Sequence, residues 1–277
     1  MEVDKISSIG RPLDFNYKTN KAIAIITAIT ILVGIAFSVL NQLDFFNIIF
    51  HGVSFGFSFF LCWAITREID PDNNLSAFIG LIPLLVFLAI WPETNLAILF
   101  WMLISLRIIN RTSGLPATKL DSVMLLVFSV LLSYYFSWIF GFLTALVFLF
   151  DAKLIKGQKF QLALASIVTI VTLILVILTN QNFALLPLLS LESASLLIVT
   201  IIFLMIIYGE KDVISKGDQN NEPLYLSRLR AAQLFALISA LVISFFASYF
   251  VALIPLWCAF IGVILNKLSK LIFQRSI

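Results

Sequence analysis

The sequence contains one histidine, two cysteines, eleven glycines and eight prolines in 277 residues. Zinc sites built from cysteine and histidine need about four such ligands, so this count excludes them. Cys62 and Cys258 both lie within apolar runs, which argues against a disulfide framework. There is no glycine-rich phosphate loop and no nucleophile elbow, so the lone His51 gives little support to serine–histidine–aspartate catalysis.

Charged residues are also scarce. They make up 12% of the chain, where a soluble domain has about 25%, and apolar residues make up 61%. The mean hydropathy is +1.07. A water-facing domain could not bury so much apolar surface, so the composition predicts an all-α, polytopic integral membrane protein. The net charge of +3 gives no indication of nucleic-acid binding.

Long apolar runs separated by short polar segments predict about ten transmembrane helices. The first run is too long for the hydrophobic region of a signal peptide, so we expect it to be retained. The run 122–150 is long for one span and short for two, and we divide it at the aromatic sequence YYFSW, which is typical of a membrane interface. The predicted spans are residues 22–40, 45–66, 75–91, 95–109, 121–136, 137–151, 160–179, 183–208, 229–249 and 251–268.

The basic residues support this division. All eighteen lysines and arginines lie in the N-terminal tail, in or within three residues of alternate connections, or near the C-terminal end, and the other connections contain none. Because cytoplasmic loops collect lysine and arginine, we expect both termini and the basic connections to face the cytoplasm. A single helix over 122–150 would move every later connection to the other side and remove the bias.

The predicted architecture is one transmembrane domain, residues 1–277, built from five hairpins. We expect residues 1–21 to form a cytoplasmic tail. Residues 209–228, which begin GEKDVISKGDQNNEP, should form a flexible cytoplasmic loop before the last hairpin. The plasma (inner) membrane of a prokaryote is the expected location.

The polar sequence TREIDPDNN before the third span has two interpretations. In the first, Asp70 and Asp72 bind Mg²⁺ or act as acid and base, and Arg67 contacts the substrate, because hard cations take carboxylate and phosphate oxygens. In the second, a proline sets a turn, Asp72 or Asn74 caps the next helix, and Arg67 extends to the interface. A calcium-binding EF-hand is excluded, since leucines stand where that loop requires glycine and glutamate.

The connection RIINRTSGLPATKLDS carries a second polar group. If the fourth helix continues through Arg111, then Arg107, Asn110 and Arg111 share one face. The two arginines would then bind a phosphate or carboxylate through paired hydrogen bonds, and Asn110 would orient it. The alternative is that these arginines only contact lipid headgroups on the cytoplasmic side.

Three more side chains extend this polar layer. Asp121 begins the fifth span, Asp151 ends the sixth, and Lys153 follows. Asp121 and Asp151 are further candidates for acid/base catalysis, and Lys153 is a further candidate for substrate binding. The whole set suits a diphosphate held by Mg²⁺. It is equally typical of a solvated membrane rim, in which Thr118 or Asp121 caps the fifth helix.

The second span is unusually rich in small and polar residues. It contains the G-x-x-x-G sequence GVSFG, which is typical of close helix packing. His51 lies seven residues after Asp44 and so shares its helix face, which would permit a proton relay. The alternative is a histidine that simply bonds to a neighbouring group.

Three functions agree with these observations. The first is an enzyme or binder with a cytoplasmic-face site for an anionic lipid or a lipid-linked phosphate or diphosphate, for example a membrane-embedded transferase. The second is a secondary transporter, although such carriers usually interrupt their helices with glycine and proline. The third is a non-catalytic partner in a membrane assembly, either with another protein or as a homo-oligomer. The N-D-x-x-D and D-G-x-x-A-R patterns of lipid-diphosphate transferases are absent.

Overall fold

The computed structural model describes residues 7–11, 13–91, 94–179, 190–247 and 249–275. Helices make up 77% of the chain, and the described residues contain no β-strand. The all-α prediction is therefore confirmed. The helices in the described residues are α1 (Lys18–Leu40), α2 (Phe45–Ile69), α3 (Asn74–Ile79), α4 (Leu81–Ile90), α5 (Leu96–Asn110), α6 (Lys119–Tyr135), α7 (Ile139–Lys153), α8 (Phe160–Thr179), α9 (Leu191–Gly209), α10 (Leu226–Phe246) and α11 (Ile254–Arg275), with a 3-10 turn at Val251–Leu253.

Six of these helical segments are long and apolar enough to cross a membrane. They are α1, α2, α8, α9, α10 and the segment Val251–Ile272. The shortest, α9, has 19 residues. At 1.5 Å per residue it extends about 28 Å, close to the thickness of a bilayer's hydrocarbon core. By the length and composition of these helices, the chain is a multi-pass membrane protein.

The predicted division of residues 122–150 into two helices is confirmed, since α6 ends at Tyr135 and α7 begins at Ile139. The predicted helix over 75–91 corresponds to one apolar helical segment, Asn74–Ile90, which is interrupted at Gly80, where α3 ends at Ile79 and α4 begins at Leu81. Pro83 has no N–H to donate to the Ile79 carbonyl, which explains the break. In the region of the eighth predicted span, the described helix begins at Leu191, and residues 180–189 lie outside the described part.

The chain divides into two compact units, each made of two separate stretches. Unit 1 comprises the segment up to Arg11 and Trp101–Phe250, and unit 2 comprises Pro12–Phe100 and Val251–Ile277. Unit 1 thus contains α6 to α10 and most of α5, and unit 2 contains α1 to α4 and α11.

In unit 2, glycines allow α1 and α2 to pack closely. A Cβ atom on Gly52 would lie 2.4 Å from Ile35 Cγ1, and one on Gly56 would lie 2.8 Å from the Thr27 carbonyl oxygen. Both distances are too short for any side chain larger than hydrogen. The G-x-x-x-G sequence therefore packs within the chain, against α1, where only glycine permits this approach.

Glycines also bring α11 against α3 and α4 in unit 2. A Cβ atom on Gly80 would lie 2.9 Å from the Cys258 carbonyl oxygen, and one on Gly262 would lie 2.6 Å from the Ser76 carbonyl oxygen. Cys62 and Cys258 are buried free thiols, in agreement with a packing role.

In unit 1, Trp101 lies at the centre of the core. Its indole N–H donates to Thr144 Oγ1 at 2.9 Å, and its ring meets Phe140 edge to face at 5.2 Å and Phe235 at 6.0 Å. These contacts join α5, α7 and α10. A buried indole N–H that finds an acceptor stabilises one arrangement of the three helices.

The connections of unit 1 collect at two ends. At one end, the segment 7–11 and the connections 111–118, 154–159 and 210–225 are joined by hydrogen bonds. At the other, the Tyr249 hydroxyl donates to the Phe136 carbonyl at 3.4 Å. The first end contains the basic connections of this unit, and the candidate site described next lies there.

Candidate functional site

The polar centre of unit 1 is a carboxylate held by two arginines. Asp151 Oδ1 accepts hydrogen bonds from Arg111 Nε at 3.0 Å, from Arg111 Nη2 at 2.7 Å and from Arg228 Nη1 at 2.9 Å. Asp151 is fully buried, and Arg228 and Arg111 are 1% and 7% exposed. Two cations and one anion give this group, the arginine cluster, a net charge of +1.

Three helix ends bring the cluster together. Helix α5 ends at Asn110, and Arg111 follows with φ +55°, which turns its side chain away from the face of the helix. Asp151 lies in the last turn of α7, and Arg228 lies in the first turn of α10. Arg228 also donates to the carbonyls of Ile109 at 2.8 Å and Ile155 at 2.9 Å. Its Nη2 donates to the Asp151 carbonyl at 3.4 Å, so Arg228 satisfies carbonyl groups in the last turns of both α5 and α7 that lack helical partners.

Part of the hydrogen-bonding capacity of the cluster is unused. Arg111 uses three of its five N–H groups, on Asp151 and on the Lys156 carbonyl, and Arg228 uses four. The three remaining N–H groups take no part in these hydrogen bonds, and the buried Asp151 Oδ2 has no partner among the described residues. Buried guanidinium groups with spare donors and a net positive charge are suited to binding an anion.

A cavity of about 280 Å³ adjoins the two arginines. It is lined by three segments of the same end of unit 1, which contribute Asn110, Arg111, Gly114, Leu115, Pro116, Lys156, Gln158, Asn220, Glu222, Pro223, Leu224, Tyr225 and Arg228. Arg111, Lys156 and Arg228 are cationic, and Glu222 is the anionic residue of this lining. The size and charge fit a small group such as a phosphate ester, below the range of drug-sized ligands.

One wall of the cavity is a turn that folds onto the connection 111–118. Asn220 Nδ2 donates to the Gly114 carbonyl at 2.7 Å, and the Gln219 N–H donates to the Ser113 carbonyl at 2.9 Å. A Cβ atom on Gly217 would lie 2.3 Å from Gly114 Cα, and Gly114 has φ +90°. Both glycines are therefore required for this contact. The segment predicted to be a flexible linker has a defined set of hydrogen bonds here.

The rim of the cavity holds an ammonium group between a carboxylate and an aromatic ring. Lys156 Nζ lies 2.8 Å from Glu222 Oε2 and 5.5 Å from the centre of the Tyr225 ring. The side chains of Lys156 and Glu222 are 56% and 54% exposed. The hydrogen bond to Glu222 raises the pKa of Lys156, so its ammonium stays charged well above neutral pH.

The structure separates the residues predicted to share the face of the fourth helix. Arg111 lies beyond the end of α5, so the condition of that prediction is not met. Arg107 Nη1 donates to the Ile9 carbonyl at 3.1 Å, whereas Arg111 binds Asp151. Asn110 is 3% exposed, lines the cavity, and its Oδ1 accepts from the Thr112 N–H.

Asp121 has a structural role at the start of α6. It forms a capping box with Thr118, as one interpretation predicted, and its Oδ2 accepts from the Ser8 N–H at 3.0 Å. Asp121 therefore fixes the N-terminal segment to unit 1. Lys153 is the last residue of α7 and is exposed, and it does not line the cavity.

Asp70 lies in unit 2, where it shapes the turn between α2 and α3. Its Oδ1 accepts from Asn73 Nδ2 at 2.7 Å, and its Oδ2 accepts from the Ser76 hydroxyl. Ser76 in turn accepts from Asn266 Nδ2 at 2.7 Å, which ties this turn to α11. With both oxygens bound in this way, Asp70 fits the turn-forming interpretation better than the magnesium interpretation.

The other predicted residues of this loop differ in role. Asp72 is exposed and does not cap α3, and Asn74 is the first helical residue, so the predicted cap at either position is wrong. Asn73 occupies the cap position and makes no capping bond through its side chain. The Arg67 guanidinium lies 5.7 Å from the centre of the Trp63 ring. Within the described residues, no group of three histidine, cysteine, aspartate or glutamate side chains is placed to hold a metal ion.

Asp44 is the N-cap of α2. Its Oδ1 accepts from the N–H groups of Phe46 and Asn47, and Asn47 also donates to its Oδ2. The backbone N–H of Asn47 is the main cause of a lowered Asp44 pKa. His51 is half-buried and contacts the Phe50 ring. Seven residues of helix separate Asp44 from His51 by about 10 Å, so a relay between them needs a bridging group.

The residues of this site that the sequence did not predict include Arg228, Lys156, Gln158, Asn220, Glu222 and Tyr225. The sequence does contain an indication for Arg228. This arginine is followed by a long apolar helix, and an arginine there is costly to bury without a partner. Lys156 and Gln158 belong to a short polar connection with no distinctive spacing, and nothing in the sequence separates them from an ordinary loop.

No protein-family model, no curated protein and no solved structure matches this chain.

Proposed function

We propose that this protein binds the phosphate or diphosphate of an anionic lipid or lipid-linked substrate at the cytoplasmic face of the membrane. The arginine cluster and the adjoining cavity are the binding site. The observation that carries the proposal is a net-positive, buried pair of guanidinium groups with unused N–H donors beside a cavity of about 280 Å³. Guanidinium stays charged at all physiological pH values and can meet two phosphate oxygens at once.

The proposed arrangement in the membrane has ten spans with both termini in the cytoplasm, in the plasma membrane of a prokaryote. The alternation of the basic residues supports it. The gathering of the segment 7–11 with three basic connections at one end of unit 1 gives further support, because all four belong to the predicted cytoplasmic side. The cavity would then open toward the cytoplasm or the inner leaflet.

A membrane-embedded transferase acting on a lipid-linked phosphate is the enzymatic form of this proposal. Asp151 would hold the arginines in position, and Lys156 at the rim would contact the phosphate. The magnesium role predicted for Asp70 and Asp72 is not part of it, because Asp70 is bound within its own turn. Transport of a small solute and assembly with a membrane partner remain the alternative functions, and no contact described above favours either.

The test is lipid retention, measured by native mass spectrometry of protein released from mild detergent. Arg111→Lys keeps the charge but loses the planar pair of donors, and Lys156→Gln removes a charge whose side chain is 56% exposed. We expect both variants to retain less anionic lipid than wild type. Arg107→Lys is the matched control, since Arg107 does not line the cavity. Equal retention in all four proteins, at equal folding yield, would overturn the proposal.

A further inference from the structure

At the rim of the cavity, Glu222 and Tyr225 form a binding site for an ammonium group, and the ammonium group of Lys156 occupies it. Lys156 Nζ lies 2.8 Å from the Glu222 carboxylate and 5.5 Å from the centre of the Tyr225 ring. A carboxylate supplies charge and a hydrogen-bond acceptor, and an aromatic face attracts a cation. All three residues line the cavity, so the position that Lys156 Nζ occupies is open to a ligand in the cavity.

A second feature points to a ligand that donates hydrogen bonds. Gln158 lines the same cavity, and its buried Oε1 accepts no hydrogen bond from any described residue. A buried acceptor without a partner is costly, and a donor from the ligand would satisfy it. A fully ionised phosphate has no donor to offer, and Glu222 would repel it. A ligand whose only polar group is a phosphate would therefore leave Gln158 Oε1 without a donor and would bring an anion close to Glu222.

We infer that the site takes an aminoalkyl phosphate, a group that carries a phosphate and an ammonium a few bonds apart. This inference rests on the proposed function, because it places the phosphate on the same arginine cluster. The ligand ammonium replaces the Lys156 ammonium beside Glu222 and Tyr225 and donates to Gln158 Oε1. The Lys156 side chain, which is 56% exposed and long, moves to the phosphate.

The exchange conserves the charge pairing at the rim. In the free protein, Glu222 pairs with Lys156. With ligand bound, Glu222 pairs with the ligand ammonium and Lys156 pairs with the ligand phosphate. A phosphate without an amine would break the existing pair without replacing it, and an amine without a phosphate would leave Lys156 without an anion. The lining therefore discriminates in favour of a ligand with both groups.

The test compares two soluble probes with the same phosphate, namely phosphoethanolamine and glycerol phosphate. Isothermal titration calorimetry on the full-length protein in detergent gives both affinities. We expect wild type to bind phosphoethanolamine about tenfold more tightly, the factor typical of one charge-assisted hydrogen bond. Glu222→Gln should bring this ratio close to one, because it removes the partner of the ligand ammonium and the repulsion of glycerol phosphate. Asp218→Asn is the matched control and should keep the ratio, since Asp218 lies in the same loop, pairs with Arg11 and does not line the cavity.

Three outcomes separate the two proposals. Equal affinity for both probes in wild type, or a ratio that Glu222→Gln leaves unchanged, refutes the inference but leaves the phosphate site standing. Binding of neither probe, together with unchanged lipid retention in Arg111→Lys, refutes the site and the inference with it. A preference for phosphoethanolamine that depends on Glu222 supports the inference.

Retention measurements in lipid nanodiscs show whether the aminoalkyl phosphate belongs to a lipid headgroup or to a free metabolite. Phosphatidylethanolamine retained in preference to phosphatidylglycerol identifies a lipid headgroup, in which case the bound lipid is zwitterionic and not anionic, and this preference should be lost in Glu222→Gln. Preference for the soluble ester without any preference between the lipids identifies a free metabolite. Both results support the same ligand chemistry.

Discussion

Replacing Asp151 with asparagine tests the arginine cluster most directly. Asparagine has nearly the same shape and can still accept hydrogen bonds through its amide oxygen, so the variant removes the charge and little else. The cluster then changes from a net charge of +1 to +2 while remaining buried, with Arg228 only 1% exposed. We expect a large loss of stability, because two guanidinium groups are left without their counter-ion.

The size of the loss follows from the contacts. Asp151 Oδ1 accepts three hydrogen bonds, at 2.7, 2.9 and 3.0 Å. Hydrogen bonds to a charged group are about twice as strong as neutral ones, so three weakened bonds lose on the order of 3 kcal/mol. Breaking a buried ion pair by removing one partner costs about 3–5 kcal/mol in other proteins. The two values agree, and we expect a decrease of about 3–5 kcal/mol in the free energy of unfolding.

The assay is reversible unfolding by SDS in mixed micelles, followed by far-ultraviolet circular dichroism. Asp72→Asn is the matched control, because Asp72 is exposed and should change stability by less than about 0.5 kcal/mol. Arg111→Gln added to Asp151→Asn removes one unpaired cation and should recover part of the loss. If Asp151→Asn unfolds within about 1 kcal/mol of wild type, the cluster is not the polar centre described here.

Three further predictions concern other parts of the chain. Gly56→Ala should destabilise the protein by about 1–3 kcal/mol in the same assay, because the new methyl group overlaps the backbone of α1. Gly209→Ala, with open space around it, should be neutral, and equal effects would contradict the close packing of α1 and α2. A reporter fused after Asn180 should lie outside the cytoplasm, and a cytoplasmic signal there would reject the ten-span arrangement. Asp44→Asn should leave lipid retention unchanged, since asparagine caps a helix equally well. If the predicted proton relay exists, Asp44→Asn and His51→Gln should each abolish the activity of the protein.

Most of the helical structure could be predicted because lipid imposes a simple rule on the sequence. A spanning segment must be long, apolar and helical, and all three properties are local. The break between α6 and α7 could be predicted from the distribution of charge along the chain. The break at Gly80 could not be predicted in this way, since it depends on Pro83 inside an apolar run that otherwise has the length and composition of one helix.

The candidate site was harder to predict from the sequence than the helices were, and Arg111 shows why. Helical spacing placed it on one face with Arg107, but a residue at the end of a helix can take a positive φ and leave that face. The pairing of Arg111 with Asp151 and Arg228 joins residues far apart in the chain, and no periodic pattern in one sequence records such contacts. By contrast, the capping box of Thr118 and Asp121 is a local motif and could be predicted.

The division of the chain into two discontinuous units has a consequence for biosynthesis. Unit 2 needs α11 to cover α2, α3 and α4, and α11 is synthesised after all three of them. In unit 1, the segment 7–11 must stay available until Asp121 has been synthesised, because the Ser8 N–H donates to the Asp121 carboxylate. Domains usually fold one after another as they emerge. Here the faces of α2, α3 and α4 that pack against α11 stay uncovered until α5 to α10 have been synthesised.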